Sequence, residues 1–248
     1  MFYAMSDIHG YLDALEAALK RIPDLEATLT GDPESHRLIF LGDYVDQGPH
    51  SREVLQRIYD LQTTYPDNVV VIKGNHDEWL IDFLTTRDCL ATTTYIPETL
   101  LSFLDGVDRE AVKTELADRD PETALQAIRD QSHAQYPQLV RWLKNLPSYW
   151  KTPTQVFVHA GIDEDAQEYW ELGTSEDIML NKFPATTGPF LIDIIAGHIG
   201  TYALASDQNF HDIYFNGFSH YFIDGTVGVS GRIPVLTYDP TTGRYGSV

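Results

Sequence analysis

Cysteine is almost missing: Cys89 is the only one in 248 residues. A single thiol closes no disulfide within a chain and builds no cysteine-rich zinc site. Basic residues are scarce as well. Seventeen Lys and Arg stand against 37 Asp and Glu, giving a net charge of −20 with histidine neutral. They form no basic stripe, and so negative a field repels nucleic acid and anionic membranes, so neither is expected as a partner. No apolar run approaches the roughly 18 residues of a membrane-spanning helix. The start MFYAMSDIHG lacks the basic and apolar segments of a secretory signal. These absences predict a soluble, cytoplasmic protein. What is present is ample apolar material, 43% hydrophobic and 12% aromatic, enough for a packed core. An anionic substrate would need attraction from something other than the net charge, and carboxylate-held metal cations are one source.

The apolar pattern alternates between short strand-like runs and helical periods. Phe2–Met5 is a strand candidate followed by a helix over Tyr11–Ile22, with apolar residues at 12, 15, 18, 19 and 22. Arg37–Leu41 and Asn68–Ile72 repeat the theme, each before a helical stretch (Ser51–Leu61, Glu78–Leu84). Such alternation predicts βαβ units and a largely parallel sheet. From about 85 to 150 the strands stop and short helices appear (98–104, 109–117, 122–129, 138–146), predicting a helical insertion within a single domain spanning 1–248. Strand candidates then resume at Gln155–Val158, Leu191–Ala196, Asp212–Phe215, Tyr221–Ile223 and Val235–Tyr238, predicting a second sheet packed on the first.

The polar residues of interest fall just after strand candidates. Asp7 and His9 follow the first, Asp43 and Asp46 the second, Asn75 and His76 the third; His159 and His198 follow later strands. Carboxyl ends of strands share one rim in α/β sheets, so these residues can converge. Asp-x-His at i, i+2 puts both side chains on one side of an extended segment. Mixed oxygen and imidazole donors without thiolate favour Mn, Fe, Zn or Co. Six positions (Asp7, His9, Asp43, Asn75, His159, His198) suit two metals, with Asp43 as the natural bridge. Two metals roughly 3.5–4 Å apart ready water for attack on a phosphoester.

The blocks SDIHG (6–10), GDYVDQG (42–48), KGNHDE (73–78), VHAGI (158–162) and GH (197–198) resemble, in order and spacing, the metal-dependent phosphoprotein phosphatase family. Within the calcineurin-like metallophosphoesterases the likeness is to the bacterial and phage-lambda serine/threonine type and its relative, the symmetrical diadenosine tetraphosphate hydrolase. The resemblance implies an α/β fold, a two-sheet β-sandwich flanked by helices. It implies Asp7 and His9 on a first metal, Asp43 bridging, and Asn75, His159 and His198 on a second. The pair of divalent or trivalent ions would be Mn first, with Fe or Zn as alternatives. It also implies His76 as general acid, with Asp46 orienting and charging the imidazole.

One departure stands out. The family's second block carries an arginine where this chain has Gln47, and residues 160–197 hold no arginine, Lys182 being the only cation there. Arginine grips phosphoryl oxygens with a planar charged fork. Its loss is worth about 1.5–3 kcal/mol for one charge-assisted bond. Gln47 and Lys182 are the substrate-binding candidates, with Arg52, Lys73 and Arg232 as possible compensating cations. The expected activity is hydrolysis of a phosphorylated protein or small phosphoester. The alternatives are a dinucleoside polyphosphate hydrolase and a weakly active metal-binding interaction protein. Asp224 reads as a turn residue, and His36, His50, His133, His211 and His220 as packing or surface histidines.

Overall fold

A computed structural model describes residues 1–85, 97–104, 114 and 121–248. Two five-stranded sheets are built from β1 (Phe2–Met5), β2 (Arg37–Phe40), β3 (Val69–Val71), β4 (Tyr149–Lys151), β5 (Gln155–Val158), β6 (Asp193–Ala196), β7 (Tyr214–Phe215), β8 (His220–Phe222), β9 (Leu236–Asp239) and β10 (Arg244–Ser247). The first sheet runs β10-β9-β1-β2-β3 and the second β4-β5-β6-β8-β7. In the first, β1, β2 and β3 are parallel, with Phe2 opposite Arg37 and Leu38 opposite Val69, while β9 closes antiparallel on β1. In the second, β5, β6 and β8 are parallel and β4 and β7 flank them antiparallel.

Period-two alternation sorts the strand residues into layers. Tyr3, Met5, Leu38, Phe40, Val69 and Val71 face helices α1 (Leu12–Arg21) and α3 (Ser51–Thr64), meeting Leu15, Leu19, Val54 and Ile58. The intervening Phe2, Ala4, Ile39 and Val70 face the second sheet and pack on Phe157 and Ile195. Val156, Val158, Ile194, Ala196 and Phe222 turn to the far side and are covered by Ile162, Trp170 and Met179. Each such burial stabilises by roughly 1.5–3 kcal/mol. The sandwich of two mixed sheets flanked by helices is the expected fold class.

Details differ from the sequence reading. A short helix, α2 (Leu25–Thr30), follows Pro23 where no element was expected; the Asp24 carboxylate caps it by accepting from the Ala27 amide at 3.1 Å. The third helical run begins earlier than expected: α4 spans Asn75–Thr85, so Asn75 and His76 lie in its first turn rather than in a loop. In the expected insertion, α5 (Pro97–Ser102), α6 (Pro121–Gln135) and α7 (Pro137–Leu143) are seen. Their Leu101, Leu125, Ile128 and Val140 share one apolar cluster with Leu15 and Val54. Of the expected helix over 109–117 only Thr114 is described, and Cys89 lies outside the described residues. The helical segment ends before Tyr149, because β4 already belongs to the second sheet. Strand β10 was missed because its RYGS is an exposed edge with no apolar alternation.

Candidate functional site

Parallel pairing of β1 with β2 continues past the strand ends. The amides of Ile8 and His9 both donate to the carbonyl of Asp43 (2.8 and 2.9 Å), that of Gly10 to Tyr44 (2.8 Å), and that of Gly48 back to His9 (2.8 Å). The two loops are thus clamped side by side. Asp7 and His9 were expected to share a side of an extended segment, but both adopt left-handed backbone, φ 55° and 46°. A turn, not a strand, brings them to one place. Asp43, Asp46, Gln47 and His198 also have positive φ, so backbone strain is concentrated at this rim. Gly42 has φ 95°, and a Cβ there would strike the backbone of Gly74, while one on Gly74 would run into the Asp43 carboxylate. Glycine at both positions is what lets the second and third loops close on each other.

Asp77, to which the sequence reading assigned no role, holds that junction. Its carboxylate, fully buried, accepts from the amides of Asp43 (2.8 Å), Gly74 (2.8 Å) and Tyr44 (3.0 Å). The KGNHDE block contained the signal, an acid just inside a helix start, but nothing in sequence shows the loop it reaches.

The second sheet supplies the remaining residues and is tied to the first through them. The ring Nδ1 of His159 donates to the carbonyl of Leu41 at 2.9 Å, and the amide of His198 donates to the Asp7 carboxylate at 3.1 Å. All six expected ligand positions therefore converge. Asp43 sits at the centre: one group of mutually close donor atoms comprises His9, Asp43 and His76, and another comprises Asp43, His159 and His198. Asn75 Oδ1 lies 2.9 Å from His159 Nε2 and 3.1 Å from His198 Nδ1. His9 Nε2 lies 3.6 Å from Asp43 and 3.9 Å from Asp7.

Tautomers test whether this arrangement fits metal. A carbonyl can only accept, so His159 carries its proton on Nδ1 toward Leu41, and His9 carries its own on Nδ1 toward Val45 at 2.9 Å. Both Nε2 lone pairs then face carboxylate and amide oxygens. Lone pairs converging on lone pairs, buried, are repulsive unless a proton or a metal cation lies among them. Ligand histidines anchored through the far nitrogen to a carbonyl are what a metal site requires. The donors therefore fit.

In the metal-free chain a proton fills that place on His159. Burial works against charge on His159, yet the Asp43 carboxylate and its hydrogen bond, reinforced by Asp7, raise the imidazole to about 10. Burial also opposes ionisation of Asp43, but His159, His9 and His76 overcome it and hold the carboxylate well below its usual range. Asp7 is pushed up to about 6 by burial, with His159 opposing and Asp43 adding to the rise. His198 is pushed down to about 4 by burial and by His159. Positive charge is thus favoured on His159 and disfavoured on His198.

His76 stands at the edge of this cluster. Its Nδ1 meets Asp46 Oδ2 at 2.5 Å, and its Nε2 lies 3.9 Å from Asp43. The ring is edge-on to His9 with centroids 4.9 Å apart. The substrate-binding candidates are placed less favourably. Gln47 is exposed on its loop, whereas the stem of Lys182 packs beside Gly161 and its ammonium pairs with Glu164 and the carbonyl of Ile162. Lys73 bridges Glu78 (2.6 Å) and Glu176 (2.8 Å), and Arg52 is held by Ser102 and Glu53. Arg232 is exposed. Asp224 behaves as the expected turn residue, accepting from the Thr226 amide at 2.7 Å.

Comparison with known proteins bears on the same residues. A family model described as calcineurin-like phosphoesterase matches residues 1–228. The symmetrical bis(5'-nucleosyl)-tetraphosphatase of Pseudomonas syringae is 32% identical over 108 residues, 44% of this chain and 32% of that protein. The serine/threonine-protein phosphatase 4 catalytic subunit of Kluyveromyces lactis is 38% identical over 71 residues, 29% of this chain and 20% of that protein. The aligned stretches thus span a third or less of these relatives. Among solved structures, a protein serine/threonine phosphatase from Saccharomyces cerevisiae shares the fold with a TM-score of 0.54 at 13% identity, covering 99% of this chain and 78% of its own. Layered sheets, a donor cluster at their common rim and a family match over nearly the whole length agree: the chain belongs to the calcineurin-like phosphoesterases.

Proposed function

We propose that this protein hydrolyses phosphate esters at a two-metal centre, acting as a phosphatase on phosphorylated serine or threonine in proteins or on small phosphomonoesters. The observation that carries the reading is Asp43, one carboxylate shared between two groups of imidazole donors. Asp7 and His9 would hold one cation with Asp43, and Asn75, His159 and His198 the other; Mn is the first choice, with Fe or Zn fitting the same donors. Bound there, such ions supply Lewis-acid stabilisation of phosphoryl oxygens and a nucleophile derived from water at neutral pH. The protein's own part is proton delivery. Burial disfavours charge on His76, but the Asp46 hydrogen bond, Asp43 and Asp77 raise its pKa above the ordinary histidine value. His76 therefore keeps a proton to give from Nε2 to the departing oxygen.

A second reading, a symmetrical dinucleoside tetraphosphatase, has support of its own. The Pseudomonas syringae relative carries that name, and Gln47 supplies no charge for a dianionic monoester. An internal phosphoanhydride phosphorus bears a single charge and needs less grip. Turnover of a phosphopeptide, 4-nitrophenyl phosphate and diadenosine tetraphosphate by one Mn-loaded preparation separates them. Preference for the phosphopeptide or aryl ester supports the first reading. Preferential release of ADP from the dinucleotide replaces it with the second, and two bound metals without any turnover would make the protein a metal-binding interaction module.

A further inference from the structure

Helix α5 sends one hydroxyl into the edge of the site. Thr99 is 2% exposed, and its Oγ1 donates to Asp46 Oδ1 at 2.7 Å. The same oxygen accepts from the Asp46 amide at 3.0 Å and lies 2.9 Å from Ser51 Oγ, itself fully buried at the start of α3. The proton count fixes the direction. A threonine hydroxyl has one hydrogen, and here it is spent on Asp46 Oδ1, so Ser51 donates to Thr99. That leaves Asp46 Oδ2 as the acceptor for His76 Nδ1–H.

We propose that Thr99, backed by Ser51, is a positioning residue for proton delivery, locking the Asp46 carboxylate so that Oδ2 points at His76. This rests on the acid role assigned above to His76. A carboxylate held at one oxygen cannot rotate away from the imidazole, and charge-assisted hydrogen bonds are the short, directional ones. Helix α5 is itself fastened to α3: Ser102 Oγ accepts from the Arg52 amide at 3.1 Å, and Arg52 Nε donates to the Ser102 carbonyl at 3.0 Å. The helical segment between β3 and β4 therefore does more than cover apolar surface. It is a part of the acid's mounting, contributed about fifty residues away from the loop it orders.

The test compares wild type, Thr99→Val, Thr99→Ser and Ser51→Ala by two readouts. In the first, the ¹H–¹⁵N signal of His76 Nδ1–H is followed in the folded protein loaded with diamagnetic Zn²⁺. Wild type and Thr99→Ser should show a strongly downfield, slowly exchanging proton, and Thr99→Val should lose it or shift it upfield. In the second, kcat is measured for phenyl and 4-nitrophenyl phosphate. Thr99→Val should lower the phenyl value about tenfold and the nitrophenyl value by less than threefold, since only the poorer leaving group needs the proton. Thr99→Ser should recover most of the loss, and Ser51→Ala should show a smaller loss with the same bias. An unmoved Nδ1–H signal in Thr99→Val overturns the inference, as does equal loss on both substrates or failure of serine to rescue. Should Thr99→Val not fold, an unbiased Ser51→Ala overturns it. A wild type without phosphoesterase activity would sink the functional reading, while the proton signal still decides the role of Thr99.

Discussion

Between His76 and Asp46 the 2.5 Å contact fits the roles the resemblance implies, with the carboxylate as acceptor and Nδ1 as donor. General acids of this kind contribute about 10²–10⁴-fold. His76→Asn should therefore lower kcat for phenyl phosphate by about a hundredfold and for 4-nitrophenyl phosphate far less; equal losses would show that His76 serves another purpose. Gln47 makes the opposite kind of prediction. It is exposed at a positive φ, and two of the candidate compensating cations, Arg52 and Lys73, are already engaged by carboxylates. Gln47→Arg should lower KM for a phosphomonoester about tenfold with little change in kcat, the gain of one charge-assisted bond. Unchanged kinetics would mean the phosphoryl group is held elsewhere. The ligand-type residues were legible because aspartate, asparagine and histidine after a strand are chemically conspicuous. Asp77, Ser51 and Thr99 were not, because an acid at a helix start or a hydroxyl in a helix is an ordinary capping or surface residue until its neighbour is known.

At the scale of elements, the strands β1, β2, β3, β5 and β6 could be read from their apolar runs, since a buried strand needs them. The loops could not. Left-handed backbone at Asp7, His9, Asp43 and His198 depends on hydrogen bonds between loops far apart in sequence, which no local propensity encodes. A second tertiary knot lies at Glu164, in the 3₁₀ turn Glu164–Tyr169, which receives Lys182, His220 Nε2 at 3.3 Å and Thr186 Oγ1 at 3.2 Å. It joins the turn after the His159 loop to β8 and to the chain beyond helix Glu176–Asn181. Burial opposes its ionisation, but His220 and Lys182 outweigh that and depress the carboxyl below the usual carboxylate range. A depressed folded-state pKa gives stability that is complete above the unfolded value and fades as pH falls through the folded one. Glu164→Gln should thus cost about 2 kcal/mol at neutral pH. The gap to wild type should close on acidification below 4.5, as followed by denaturant unfolding across pH. A gap that stays constant down to the acid limit would show that the charge contributes nothing.

Across the whole molecule, a chain of net charge −20 gathers its buried carboxylates and imidazoles where two sheets meet. Cations held there would turn that gathering from a cost into an attraction for phosphate. No described helix is long and apolar enough to cross a membrane. The layered architecture was legible because strand and helix periods alternate, whereas the edge strands β4 and β10 and the helix starting at Asn75 needed three-dimensional partners to define them. Everything proposed about chemistry passes through Asp43, common to both donor groups. The most direct test is the metal-to-protein ratio of wild type and Asp43→Asn after equilibration with Mn²⁺ and removal of loose ions. Two equivalents per chain in wild type, falling to less than one in Asp43→Asn, is the result the shared carboxylate predicts; a single equivalent in wild type, or two retained by the variant, would contradict it.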